Sequence, residues 1–179
     1  MMFKKVRATV VAIVALLLIG DSSAVQAAEN RALNAEINFL SRDWEHVKLQ
    51  VDNLDEQEKQ MAVLALHAAD IAQRYQGSTE ATIWVGIITS EQASMASENN
   101  NPIKALVLAK RARDILEKVE KIDPVTMDAA APTSLGVLYY RVPEFPLGFG
   151  DKSEARRYLQ EAITNAPKDR KSTRLNSSH

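Results

Sequence analysis

The chain has 179 residues, with 22 Lys and Arg set against 23 Asp and Glu, three His and no Cys. That length suits one domain of ordinary size. The missing cysteine excludes disulfides, thiolate metal sites and a lipid-modified cysteine, and the balanced charge leaves no nucleic-acid footprint.

The first residues have the layout of an export signal. Lys4, Lys5 and Arg7 precede an apolar run over 8–19, and Val25-Gln26-Ala27 suits cleavage after Ala27. The run is shorter than the roughly eighteen apolar residues a spanning helix needs. The expectation is a signal peptide over 1–27, a periplasmic mature chain, and no membrane attachment after cleavage.

Helical periodicity fills the next stretch. Over 30–52, Leu33, Ile37, Leu40, Trp44, Val47 and Val51 recur every three or four residues. Asp55 is placed to cap a second helix, with Glu58 completing a capping-box pair. Met61, Leu64, Ala65, Ala68, Ile71 and Tyr75 line that helix, and Gly77 ends it. A third helix covers about 78–97 through Ile83, Trp84, Ile87 and Ile88, and Asn99, Asn100 and Asn101 break it.

Pro102 opens a fourth helix, where its missing N–H costs nothing. Leu108, Ala112, Ile115, Leu116 and Val119 form its apolar side, and Asp114 with Lys118 and Glu117 with Lys121 are spaced for weak i,i+4 ion pairs. Lys110, Arg111 and Arg113 have acids interleaved behind them and read as a solvated face. Asp123-Pro124 ends the helix. A fifth runs over 125–141, with Pro132 setting its true start or kinking it. A sixth runs from Asp151, with Glu154 three residues on, to just before Pro167.

Residues 169–179 read DRKSTRLNSSH, polar and without helical period, and resemble the translation of a sequencing-library adapter. The expectation is a non-native or disordered tail, with the natural sequence interrupted near Lys168. On that reading the outer side chains of the sixth helix (Tyr158, Leu159 or Ile163) are exposed. The remaining segment, 28–168, has 16 Lys and Arg against 21 Asp and Glu, a net charge of −5. Nucleic acid and anionic membranes are therefore poor partners for it.

Two segments echo each other. Ala112, Leu116, Val119 and Pro124 are spaced four, three and five apart, and Ala155, Leu159, Ala162 and Pro167 repeat that spacing 43 residues later. Leu135-Gly136-Val137-Leu138-Tyr139 precedes the second set, and Val85-Gly86-Ile87-Ile88-Thr89, after Trp84, precedes the first. This pattern resembles the tetratricopeptide repeat, although Gly136 to Ala155 takes 19 residues and Gly86 to Ala112 takes 26. SLGVLYYRVPEFPLGFGD, over 134–151, is similar to a signature of small periplasmic tetratricopeptide-like proteins of proteobacteria. The resemblance covers most of 30–167, with Glu144 and Phe145 where that family more often has Gly and Trp. It implies antiparallel helix pairs stacked as a short right-handed solenoid, with about six helices after the signal peptide, and no assigned reaction.

Chemistry is sparse. His46, His67 and His179 sit at no metal-ligand spacing. His67 with Asp70 reads as a local surface pair, and no nucleophile, phosphate-cradle or dinucleotide motif occurs, so no cofactor is implied. The loop 142–150 is the exception. Val142, Phe145, Leu147 and Phe149 lie among two prolines and two glycines and either fill a gap between helices or form a docking site. Tyr140 and Arg141 flank it and, with Phe145, Leu147 and Phe149, are the candidate partner-binding residues. The expected function is a non-catalytic scaffold binding a protein or peptide; the alternative is a small-molecule-binding accessory of solute uptake.

Overall fold

The computed structural model describes the backbone of residues 3–166 and the side chains of residues 23–166. Pro167, Lys168, the 169–179 tail and most of the 1–27 signal segment's side chains lie outside the described residues. Six helices follow one another: α1 (Phe3–Gln50), α2 (Leu54–Arg74), α3 (Thr79–Glu98), α4 (Pro102–Ile122), α5 (Thr126–Arg141) and α6 (Lys152–Asn165). The class is all-α. Among the described residues there is no strand, only an isolated bridge between Glu144 and Gly150. No described helix is long and apolar enough to cross a membrane.

The chain divides into two units, Met1–Phe39 and Leu40–His179. The described part of the first is helical throughout, and its Gln26 amide donates to Asn30 Oδ1 at 3.2 Å on an exposed face. The second unit holds the rest of α1 and all five later helices.

Helix starts follow their capping chemistry, with one correction. Asn53, not Asp55, caps α2: its side chain accepts from Glu56 N at 2.9 Å. Asp55 and Glu56 then fall in the first turn, where carboxylates suit the positive end of the helix dipole. Glu58 is thereby free to leave its own helix: it accepts from Asn99 Nδ2 at 2.6 Å and pairs with Lys104. Ser78 caps α3, Asn101 caps α4 ahead of Pro102, and Asp151 caps α6 by accepting from Ser153 N at 2.7 Å and Glu154 N at 3.1 Å.

The start of α5 is less regular. Met127, Asp128 and Ala129 have φ of 55°, 53° and 64° inside a segment otherwise helical. Left-handed residues without glycine cost roughly 1–2 kcal/mol each. The regular helix therefore begins at about Ala130, so Pro132 stands in its first turn and lacks no needed N–H. Pro132 is fully buried.

Packing runs α2 on α3, α3 on α4 and α5, α4 on α5, and α5 on α6. Two glycines explain the closest approaches. A Cβ on Gly86 would stand 2.6 Å from Leu116 Cδ2, and one on Gly136 would stand 2.6 Å from Leu159 Cγ. Gly86 and Leu116 lie at comparable distances from the turn joining α3 to α4, as do Gly136 and Leu159 from the loop joining α5 to α6. Each pair is thus an antiparallel helical hairpin, and both place the same repeat positions in contact. Ala112, Leu116 and Val119 are buried in the first hairpin, and Ala155 and Ala162 in the second. Among the described residues a hydrophobic core cluster is built on Ile83, Ala93, Leu116, Leu135, Leu138 and Tyr158.

The end of α1 joins this unit through Leu40 and Val47, both buried. Trp44 meets Trp84 edge-on at 5.9 Å, and Lys48 bonds Glu91 at 2.5 Å. The i,i+4 partners expected on α4 are replaced: Arg113 takes Asp114 at 2.7 Å and stands 3.9 Å from Glu117.

Candidate functional site

The loop 142–150 closes on itself. Gly150 N donates to Pro143 O at 2.9 Å, Leu147 N and Gly148 N both donate to Glu144 O, and Asp151 N donates to Tyr139 O at 3.0 Å. A Cβ on Gly150 would lie 1.9 Å from Val142 O, so only glycine permits this closure. The Phe145–Pro146 peptide is cis.

That closure sorts the apolar side chains onto two sides. Val142 and Phe149 turn in and pack against the core. Phe149 meets the Tyr139 ring edge-on at 5.3 Å, and the Arg113 guanidinium lies over the Phe149 ring, 4.5 Å from its centroid. Aromatic pairs contribute about 0.5–1.5 kcal/mol beyond area burial, and a cation over a ring about as much again. Phe145 and Leu147 turn out, 89% and 74% exposed. Packing thus accounts for Val142 and Phe149, while Phe145 and Leu147 face outward.

Tyr139 anchors the inner half. It stacks on Tyr158 at 5.6 Å, and its hydroxyl donates to Glu117 Oε1 at 2.7 Å. Burial, and then the Glu117 carboxylate, push its pKa well above the ordinary tyrosine value. Tyr139 is a neutral donor at all physiological pH.

Tyr140 and Arg141 separate. Successive residues on a helix point about 100° apart; Tyr140 is exposed on one flank, while Arg141 reaches Ser94 Oγ at 3.5 Å on the other. The five candidate residues therefore form no single patch. Phe145, Leu147 and Arg141 remain available around the loop, Phe149 is core-facing, and Tyr140 belongs to the outer face of α5.

Residues of α4 enlarge the exposed half. A Cβ on Gly148 would be 3.4 Å from Leu106 Cδ1, so the loop crosses α4 between Leu106 and Arg113. Beside that crossing, Ile103 and Val107 are 79% and 63% exposed. Lys110 stands between Leu106 and Arg113 on the same stripe, at four and three residues. Sequence reasoning missed this contribution. The available signal was an excess of apolar residues in IKALVL: Ile103, Leu106 and Val107 lie off the Ala112–Leu116–Val119 stripe.

A second feature lies elsewhere. A cleft of about 370 Å³ is lined by Asp55, Glu58 and Lys59 of α2, Gln92 of α3 and Lys104 of α4. Lys104 and Asn99 hold the Glu58 carboxyl below the usual range by hydrogen bonding. Ala62 also lines the cleft, so four charged side chains share its walls with apolar surface. Among the described residues no group of three His, Cys, Asp or Glu side chains is arranged to hold a metal. His46 bonds Gln50 Oε1 at 2.9 Å, and Asp70 accepts from Arg74 at 2.9 Å.

Of the outer side chains of α6, Tyr158 is buried, whereas Leu159 and Ile163 are partly exposed. No protein-family model matches the chain, and no curated protein aligns with it. The resemblance to tetratricopeptide-like proteins rests on its own residues.

Proposed function

We propose that the chain is a non-catalytic tetratricopeptide-like scaffold of the periplasm that binds a protein or peptide through the outer half of loop 142–150 and the first turns of α4. The observation that carries this reading is the outward placement of Phe145 and Leu147 on a loop whose other apolar residues fix it to the core. Exposed apolar groups on a rigid support are what recognition surfaces need. The two hairpins with matching Gly–Leu contacts, and the packing of α3 on α5, support a repeat architecture. The positive start, short apolar run and small-residue cut site support export.

A photo-crosslinking amino acid at 145 or 147 tests the surface in intact cells. Leu66 of α2 is 74% exposed, matching Leu147, and serves as the control position. Adducts from 145 and 147 but not 66 are the expected result. Equal or absent crosslinking at all three positions eliminates the docking surface. Cell fractionation tests export on its own.

The cleft between α2, α3 and α4 supports a second reading, a small-molecule accessory of solute uptake, because its volume falls in the ligand range of about 300–1,000 Å³. An apolar tunnel with a few polar groups would favour that reading. Any such ligand would have to meet two acidic and two basic side chains in the lining.

A further inference from the structure

We infer that residues 40–50, the last turns of α1, form a releasable strap that comes off α3 as a unit while the later helices stay folded. This opening does not involve loop 142–150 or anything that docks there.

Spacing sets this segment apart. Between α3 and α4, and between α5 and α6, a glycine lets the helices close up, Gly86 receiving Leu116 and Gly136 receiving Leu159. At the contact of α1 with α3 two tryptophans face each other instead, Trp44 and Trp84, with ring centroids 5.9 Å apart and planes at 71°. Rings of that size hold the two backbones apart, and none of the closely packed helix pairs includes α1. The segment is held by side chains alone: buried Leu40 and Val47, the tryptophan pair, and the partly exposed ion pair of Lys48 with Glu91. Gln57 Nε2 donates to Val51 O at 2.5 Å, which ties the linker to α2 rather than the segment to α3.

Docking also strands two donors. The indole N–H groups of Trp44 and Trp84 are both sealed from solvent and meet no acceptor among the described residues. A donor buried in this way loses its bond to water, and that loss exceeds what an ordinary hydrogen bond returns. No other buried side-chain nitrogen or oxygen among the described residues lacks a partner. Release of residues 40–50 gives both indoles back to water, whereas parting α3 from α4 or α5 from α6 recovers nothing of the kind. Leu40 and Val47 keep the strap shut at rest. The seam with the widest backbone spacing and the stranded donors is the one that opens first, below the free energy of global unfolding.

Trp44 and Trp84 are the chain's two tryptophans, so intrinsic fluorescence reports on this contact and on no other. In a urea titration of the intact protein the emission should shift to the red at lower urea than the far-UV ellipticity falls. In D2O the two indole N–H protons and the backbone amides of residues 44–50 should exchange at least tenfold faster than amides in the middle of α3 and α4. L40A should bring the fluorescence transition to lower urea and leave the ellipticity midpoint in place. E91Q should act in the same direction by a smaller step, raising the open population about twofold to fivefold, as loss of a partly exposed ion pair does. A single transition shared by both probes overturns the strap, as do indole protons protected as long as the α3 amides, the pattern of a fixed core contact closed by a sealed water. L40A lowering both midpoints together, or failing to fold, also overturns it.

Discussion

Glu58 shows how one misassigned cap changes the meaning of a residue. Read as the partner of Asp55 in a capping box, it belongs to α2 alone; with Asn53 as the cap, it becomes the tie between α2 and the turn joining α3 to α4. The spacing fits both roles, and only the position of Asn99 and Lys104, far along the chain, separates them. Because its folded pKa is lowered from 4.5, chiefly by Lys104, the tie stabilises above the unfolded value and fades as pH falls through the folded one. E58Q should therefore cost about 0.5–1 kcal/mol at pH 7, as a partly exposed pair does, and less at pH 3, below the unfolded value. Urea titrations at the two pH values measure the difference. Glu120 has the opposite sign. Burial first, then the facing Glu161, raise its pKa above 4.5. Its contribution is present below the unfolded value and is lost as pH rises through the folded one. E120Q should raise the melting temperature at pH 7 and leave it unchanged at pH 3.

At the scale of elements, helix identity was legible because periodicity, caps and prolines agree over α2, α3, α4 and α6. The repeat was legible as spacing, and the structure supplies its physical content: Gly86 against Leu116 and Gly136 against Leu159. These two contacts should respond differently to a methyl group. Leu116 is fully buried and cannot yield, so G86A should lose about 1–2 kcal/mol despite alanine's better helix propensity. Leu159 is 37% exposed and can turn aside, but the Ala155 carbonyl 3.2 Å from the added carbon is backbone, so G136A should cost less than G86A without being neutral. Chemical denaturation of both variants checks the contrast. The left-handed run at 127–129 left no mark in the sequence, since none of Met127, Asp128 and Ala129 is glycine. Asp128 is exposed. D128G should relieve the backbone and stabilise by about 0.5–1 kcal/mol after the entropy cost of glycine; a rise in melting temperature is the readout.

For the molecule as a whole, composition marked the loop 142–150 without saying which side chains turn inward. That choice is made by a backbone contact, Gly150 against the Val142 carbonyl, together with the place where the loop meets α4. Local sequence encodes neither the closure angle nor the neighbour, which is also why Ile103, Val107 and Lys110 were not grouped with the loop. The division of labour can be measured. Phe149 joins α5, α4 and α6 through Tyr139, Arg113 and the core behind them, so F149A should cost about 2–3 kcal/mol, somewhat less than a fully buried phenylalanine. Phe145 and Leu147 are mostly exposed, so F145S/L147S should unfold within about 0.5 kcal/mol of the parent, as substitutions at exposed sites do. A large loss of stability in F145S/L147S would mean that these side chains serve the fold. Unchanged stability with lost crosslinking would separate recognition from packing within a single loop of nine residues, the inner half holding the surface rigid and the outer half meeting what binds there.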